Sequence, residues 1–90
     1  MAHINGGARA GDVINTETFT GANATGSDGA KNRVLTLANT STSKSETIIQ
    51  DRNTLHPTTD YTVNHLSTSS TITFLKELWN EQSIKVMYFT

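Results

Sequence analysis

The segments Thr59-Asp60-Tyr61-Thr62-Val63 and Thr71-Ile72-Thr73-Phe74 both alternate strictly. Tyr61 and Val63 fall on one side of an extended chain, with Asp60 and Thr62 on the other, and Ile72 and Phe74 oppose Thr71 and Thr73. A period of two is what a half-buried antiparallel strand requires, because successive side chains face opposite ways. The polar, turn-prone stretch between them, Asn64 to Ser70, predicts a hairpin. A third alternating run closes the chain, with Ile84, Val86 and Tyr88 set against Lys85, Met87 and Phe89. These three strands are expected to share one sheet.

A chain of 90 residues makes one small domain. It buries only roughly 60–65% of the surface its unfolded form exposes, so its core has little to spare. With no cysteine there is neither a disulfide nor a thiolate metal site to brace it. Thr and Ser make up about a quarter of the residues, the first suited to strands and the second to turns. The expected class is therefore all-β: a small antiparallel β-sandwich over residues 16–90, preceded by a flexible N-terminal arm over 1–15. A formal charge of −1 argues against a nucleic-acid binder, which needs a basic face to displace counterions, and against a membrane-surface helix. No apolar run is long enough to span a bilayer, and Met1–Gly11 lacks the hydrophobic segment of a signal peptide. Synthesis in a cytoplasm is expected, with neither nucleic acid nor membrane as partner.

All six glycines precede position 30, which suggests a pliable N-terminal third ahead of a strand-rich remainder. Phe19 is the first aromatic residue available to a core. Leu35 and Leu37 share one face of a strand, and Ile48-Ile49 sit side by side in another, so one of that pair is expected outside the core. Asp51-Arg52-Asn53 reads as a turn, and Pro57 closes the piece after it, since proline removes a ladder donor. Leu75, Leu78 and Trp79 stand at helical spacing and are expected to pack together as a lid on one end of the sheet. The expected core is Leu35, Leu37, Tyr61, Val63, Ile72, Phe74, Ile84 and Val86.

Chemistry is sparse. His3, His56 and His65 occupy unrelated spacings without a neighbouring ligand at i+2 or i+4, so they read as surface or turn histidines rather than metal ligands. Asp60 with Glu46 or Glu77 offers carboxylates for glycosidic chemistry, but nothing in the sequence brings them together. Asp60 is read instead as a turn residue bonded to nearby backbone N–H groups. No Gly-x-Ser-x-Gly elbow appears, and the glycines of 21–29 lack the Lys-Ser/Thr of a phosphate loop. Lys31-Asn32-Arg33 is read as a solvated strand entrance. Asn23-Ala24-Thr25 and Asn39-Thr40-Ser41 match the glycosylation sequon, which arises by chance in a chain this rich in Ser and Thr. No cofactor or metal is expected, and no enzymatic activity.

The order Phe19-Thr20-Gly21, Leu35-Thr36-Leu37, Thr47–Asp51, Pro57, Asp60–Val63, Ile72-Thr73-Phe74 and Ile84–Phe89 resembles a small β-sandwich module of tailed-phage virion proteins. That module recurs in decoration, fibre and tail accessory subunits. Two departures stand out: Asp51-Arg52-Asn53 replaces an Asn-Gly turn, and Trp79 falls where a Pro/Ala/Gly linker is usual. The resemblance implies a virion structural protein without catalytic residues, most simply a capsid decoration or cementing subunit located in the virion. Its implied partners are the major capsid protein or other virion subunits, together with copies of itself in a homo-oligomer. A head–tail connector or a tail or fibre accessory subunit is the alternative, with a carbohydrate-binding module behind it. Candidate interface residues are Ile4, Arg9, Val13 and Ile14 of the arm and Ile49 of the sheet.

Overall fold

The computed structural model describes residues 13–90. Seven strands and one short 3₁₀ turn follow in order: β1 (Ile14–Thr20), the turn (Gly21–Asn23), β2 (Arg33–Thr36), β3 (Thr47–Gln50), β4 (Asn53–Thr54), β5 (Tyr61–His65), β6 (Ser70–Phe74) and β7 (Ser83–Phe89). They form two sheets, four-stranded in the order β1-β7-β3-β4 and three-stranded in the order β2-β6-β5. Every strand pairing is antiparallel. This is the all-β sandwich the alternation requires.

The expected hairpin is present, with Tyr61 across from Phe74 and Val63 across from Ile72. The last strand does not join it. β7 is the centre of the other sheet, between β1 and β3, so the three alternating runs divide between the two layers. The reason is that Ile84, Val86 and Tyr88 have to face Ile72 and Phe74 across the core, and strands within one sheet cannot do this. Tyr61, Ile72, Phe74, Leu35, Leu37, Ile48, Leu78, Ile84, Val86 and Tyr88 form the buried cluster. Val63, expected in it, is only half-buried and packs at its margin with Phe19 and Leu55.

β1 begins at Ile14, inside the segment expected to be an arm, and pairs along its whole length with β7, Ile14 opposite Phe89 and Thr20 opposite Ser83. Val13 is held as well, since the Thr90 N–H donates to its carbonyl (3.0 Å). Val13 and Ile14, counted in that arm, therefore belong to the folded part. Ile4 and Arg9 lie outside the described residues. Asp51-Arg52 makes a two-residue hairpin between Gln50 and Asn53 even without glycine, because Asp51 itself adopts the left-handed conformation (φ 56°). Its carboxylate accepts from the Ser83 N–H (3.0 Å) and from Gln82 (3.2 Å), which ties the turn to the start of β7.

Candidate functional site

The glycine-bearing loop and the Trp79 loop meet over Arg33. The Lys31-Asn32-Arg33 cluster is not a solvated entrance: Arg33 is 2% exposed. Its phase explains why, because Arg33 shares a strand face with Leu35 and Leu37, both buried. Nε donates to the Thr25 carbonyl (2.8 Å), Nη1 to the Leu78 carbonyl (2.7 Å), and Nη2 to the Ala24 carbonyl (3.3 Å) and Asn80 Oδ1 (2.9 Å). No carboxylate pairs with this buried guanidinium among the described residues. Backbone dipoles from two loops solvate it instead, so Arg33 works as a clasp.

The clasp sets Trp79. Residues 75–82 form no helix, and the expected lid of Leu75, Leu78 and Trp79 is absent. Leu78 is buried, Leu75 half-buried, and Trp79 exposed at 53%. Arg33 holds the residues on either side of Trp79, and a Cβ on Gly29 would lie 2.4 Å from the indole ring. The indole thus lies against Gly29, a close approach only glycine permits. Gly21 is similarly fixed, since a Cβ there would lie 2.0 Å from the Trp79 carbonyl oxygen. Around Gly21 and Gly29 the glycine-bearing stretch is packed, not pliable.

At the opposite end the sandwich is fastened along one side and open along the other. Glu17 of β1 accepts from the Tyr88 hydroxyl and from the Ala38 N–H (3.0 Å), which joins the four-stranded sheet to the end of β2. Burial, and then the hydrogen bond to Glu17, pushes the Tyr88 hydroxyl above its ordinary pKa, with a bond from Asn39 opposing. On the other side, a cleft of about 480 Å³ lies beside edge strand β5, lined by Ser43, Lys44, Glu46, Pro57, Thr58, Tyr61, Thr62, Val63 and His65.

Glu46 has the same strand phase as Ile48, so its carboxylate points inward from the four-stranded sheet. His65 has the phase of Tyr61 and Val63 and meets it from the other sheet, Nε2 to Oε2 2.7 Å. The Glu46 side chain is only 5% exposed, against 31% for His65. Glu46 Oε2 also accepts from Ser41 Oγ, which in turn contacts Ser70 Oγ (2.9 Å). His65 is exposed, as expected of a surface histidine, but it stands in a strand rather than a turn, and its ring nitrogen meets Glu46 between the layers. Glu46 Oε1 and the Tyr61 hydroxyl make no hydrogen bond among the described residues. Burial, and then the charges of Glu46 and Asp60, push the Tyr61 hydroxyl above its ordinary pKa. Two rim residues, Lys44 (φ 65°) and Thr58 (φ 65°), adopt the left-handed conformation, which is costly above all for β-branched threonine.

The other carboxylates have separate work. Asp60 accepts from the His56 N–H (2.8 Å) and pairs with Lys76 (3.2 Å), as its reading as a turn residue requires. Those two contacts, the His56 N–H first, hold its carboxyl below the usual range. Glu77 is exposed and takes no part. No group of three His, Asp or Glu converges as a metal site among the described residues.

Of the candidate interface residues, Ile49 sits half-buried on the outer face of its sheet, across from Lys85. Val13 and Ile14 are exposed at 56% and 65%. They lie at the same end as Leu66, which is in the turn after β5 and 45% exposed, and which accepts from Thr40 Oγ1 (2.6 Å). Among the described residues, three of the four exposed large apolar side chains thus lie at one end of the sandwich, with Trp79 at the other. The sequence marks both Arg33 and Glu46 through strand parity, since each lies two residues from a core residue on its own strand face. No family model matches the chain, and neither the curated proteins nor the solved structures give a match.

Proposed function

We propose that this protein is a virion structural subunit of the capsid-decoration kind, non-enzymatic, acting by binding across coat subunits and copies of itself. The observation that supports this reading is that three exposed apolar residues lie at one end of a small sandwich, Val13 and Ile14 at the start of β1 in the four-stranded sheet and Leu66 in the turn after β5 in the other. Exposed apolar side chains at one end of a molecule favour association there. Such a subunit stabilises a shell by mass action, because it binds the assembled lattice and not the dispersed coat protein. The phage-module resemblance from Phe19 to Phe89 supplies the virion context. The head–tail connector or tail accessory variant uses the same surface on a different ring of subunits.

The test is co-sedimentation of the purified chain with virus particles lacking it. Ile14→Asp and Leu66→Asp both alter exposed positions and leave the core intact. Together they should weaken binding at least tenfold, about 1.4 kcal/mol. Unchanged binding by the double variant contradicts the proposed surface, and failure of the unaltered chain to bind contradicts the reading itself.

A second reading, a carbohydrate-binding module, is favoured by one observation: Trp79 stays exposed while a clasp and a glycine hold it in place. A glycan array separates the two. Saturable binding lost in Trp79→Ala, with no binding to particles, favours the second.

A further inference from the structure

Among the described residues, β1 is the long sheet edge that the fold leaves open. The register of its pairing with β7 shows which way its backbone faces. The Thr90 N–H donates to the Val13 carbonyl and the Gly21 N–H to the Gln82 carbonyl, both in the register of β1 on β7, so odd-numbered positions bond β7. Bonded and non-bonded positions alternate in an antiparallel pair, so the N–H and C=O groups of Ile14, Thr16, Thr18 and Thr20 face away from the sheet. The Thr20 N–H is answered by Asn23 Oδ1 (2.9 Å). Those of Ile14, Thr16 and Thr18 have no partner among the described residues.

The other edges are each closed in part. In β2 the Val34 carbonyl accepts from the Thr25 N–H (2.8 Å), the Val34 N–H donates to Thr25 Oγ1 (3.0 Å), and the Ala38 N–H just beyond donates to Glu17 (3.0 Å). At the start of β5 the Tyr61 carbonyl accepts from the Thr58 N–H (2.7 Å). β4 is only two residues long. Proteins usually blunt an edge with lysine, proline, a bulge or short length. β1 has none of these. Its seven residues pair without a bulge, and the side chains on its outer face, Ile14, Thr16, Thr18 and Thr20, are uncharged, β-branched and exposed.

We infer that β1 pairs with β1 of a second copy of this chain, antiparallel about a two-fold axis through Thr16, so that two four-stranded sheets become one continuous sheet. The free backbone groups and the charges select the same register. With Thr16 on the axis it meets the partner's Thr16, and Ile14 meets the partner's Thr18. Each such pair exchanges both of its bonds, so every free group of Ile14, Thr16 and Thr18 is used. Moving the axis to Glu17 would require Thr20, whose N–H is already taken by Asn23. It would also set Glu17 directly across from the partner's Glu17, and like charges so placed are destabilising. With the axis at Thr16, Glu17 instead faces the partner's Asn15, an amide with donors to offer a carboxylate. The inference rests on the strand edge and stands apart from the decoration reading.

The test is sedimentation velocity of the purified full chain over a concentration series reaching the millimolar range, where a concentration-dependent dimer is expected. Thr16→Pro removes an N–H that bonds nothing within the subunit, so it should keep the strand signal in far-ultraviolet dichroism and weaken dimerisation at least tenfold. Thr16→Lys and Thr16→Glu each set like charges across the axis and should weaken it similarly. An equimolar mixture of those two variants should restore the dimer, because each lysine then faces a glutamate. An unaltered chain that stays monomeric throughout the series overturns the inference. So do Thr16→Lys and Thr16→Glu chains that each dimerise as tightly as the unaltered one. Charge variants that are both weakened and do not recover on mixing would take Thr16 off the axis and overturn the register. No virus particle enters the experiment, so these failures are distinct from failure of the decoration reading.

Discussion

Arg33→Met removes the clasp while keeping much of the side chain's apolar stem. Arg33 is 2% exposed and makes four hydrogen bonds, three to backbone carbonyls and one to Asn80. Leu78 keeps one partner after the substitution, because the Gly29 N–H also donates to it (2.9 Å). The buried Ala24 carbonyl and the partly buried Thr25 carbonyl keep none among the described residues. Each buried acceptor left without a donor costs about 1–3 kcal/mol, and bonds to a charged donor are the stronger kind. The loss should therefore reach about 3–5 kcal/mol, a large part of the stability of a domain this size. Replacing a buried ion pair with apolar residues can be neutral, but that requires both partners to go. Here the carbonyls remain. The assay is urea unfolding followed by far-ultraviolet dichroism, with thermal melting alongside, where the same loss lowers Tm by roughly 15–30 °C. Arg33→Lys, which keeps the charge and one donor centre, should fall between. A loss under about 1 kcal/mol for Arg33→Met would refute the clasp, because it would mean that water or a shifted loop satisfies those carbonyls.

Phe74→Ala empties a buried position in the centre of the three-stranded sheet and should cost about 3–5 kcal/mol by chemical denaturation, whereas an unchanged midpoint would place Phe74 outside the core. Gly21→Ala should cost about 1–3 kcal/mol, since its Cβ meets backbone atoms of Trp79 that cannot rotate away, and full stability would mean that the loop yields freely. Both tyrosines should titrate above the ordinary value near 10, seen as delayed phenolate absorbance at 295 nm, because burial raises Tyr61 and Tyr88 alike. The sign follows from linkage: the folded state holds these protons more tightly, so their contribution is complete below pH 10 and is lost as pH rises toward the folded values. Asp51 and Asp60, held low chiefly by the Ser83 and His56 N–H groups, act in the opposite sense, their contribution being present above about pH 4 and lost in acid.

Strand phase carried most of what the sequence could tell. Alternation at Tyr61, Val63, Ile72 and Phe74 located the hairpin, and alternation at Ile84, Val86 and Tyr88 located β7. It could not say which layer β7 joins, because parity fixes the buried face of a strand and says nothing of its neighbours. The same parity, extended by one step, reaches Arg33 from Leu35 and Glu46 from Ile48. A reading that treats charged residues as solvated stops short of both. Trp79 misled for another reason. The spacing of Leu75, Leu78 and Trp79 matches a helical turn, but Leu78 and Asn80 are drawn instead to Arg33, contacts made across 45 and 47 residues of chain. The Glu46–His65 pair is equally non-local, formed between sheets by residues 19 apart. Interactions of this kind leave no local signature.

Mass spectrometry of particles purified from the culture that makes this chain tests the decoration reading most directly. The expected result is that peptides spanning residues 34–85 co-purify with the particles through a density gradient, in copy numbers comparable with the coat protein, and are released together when the particles are dissociated. Particles free of the chain, while it accumulates unassembled in the same cells, would contradict a structural role in the virion.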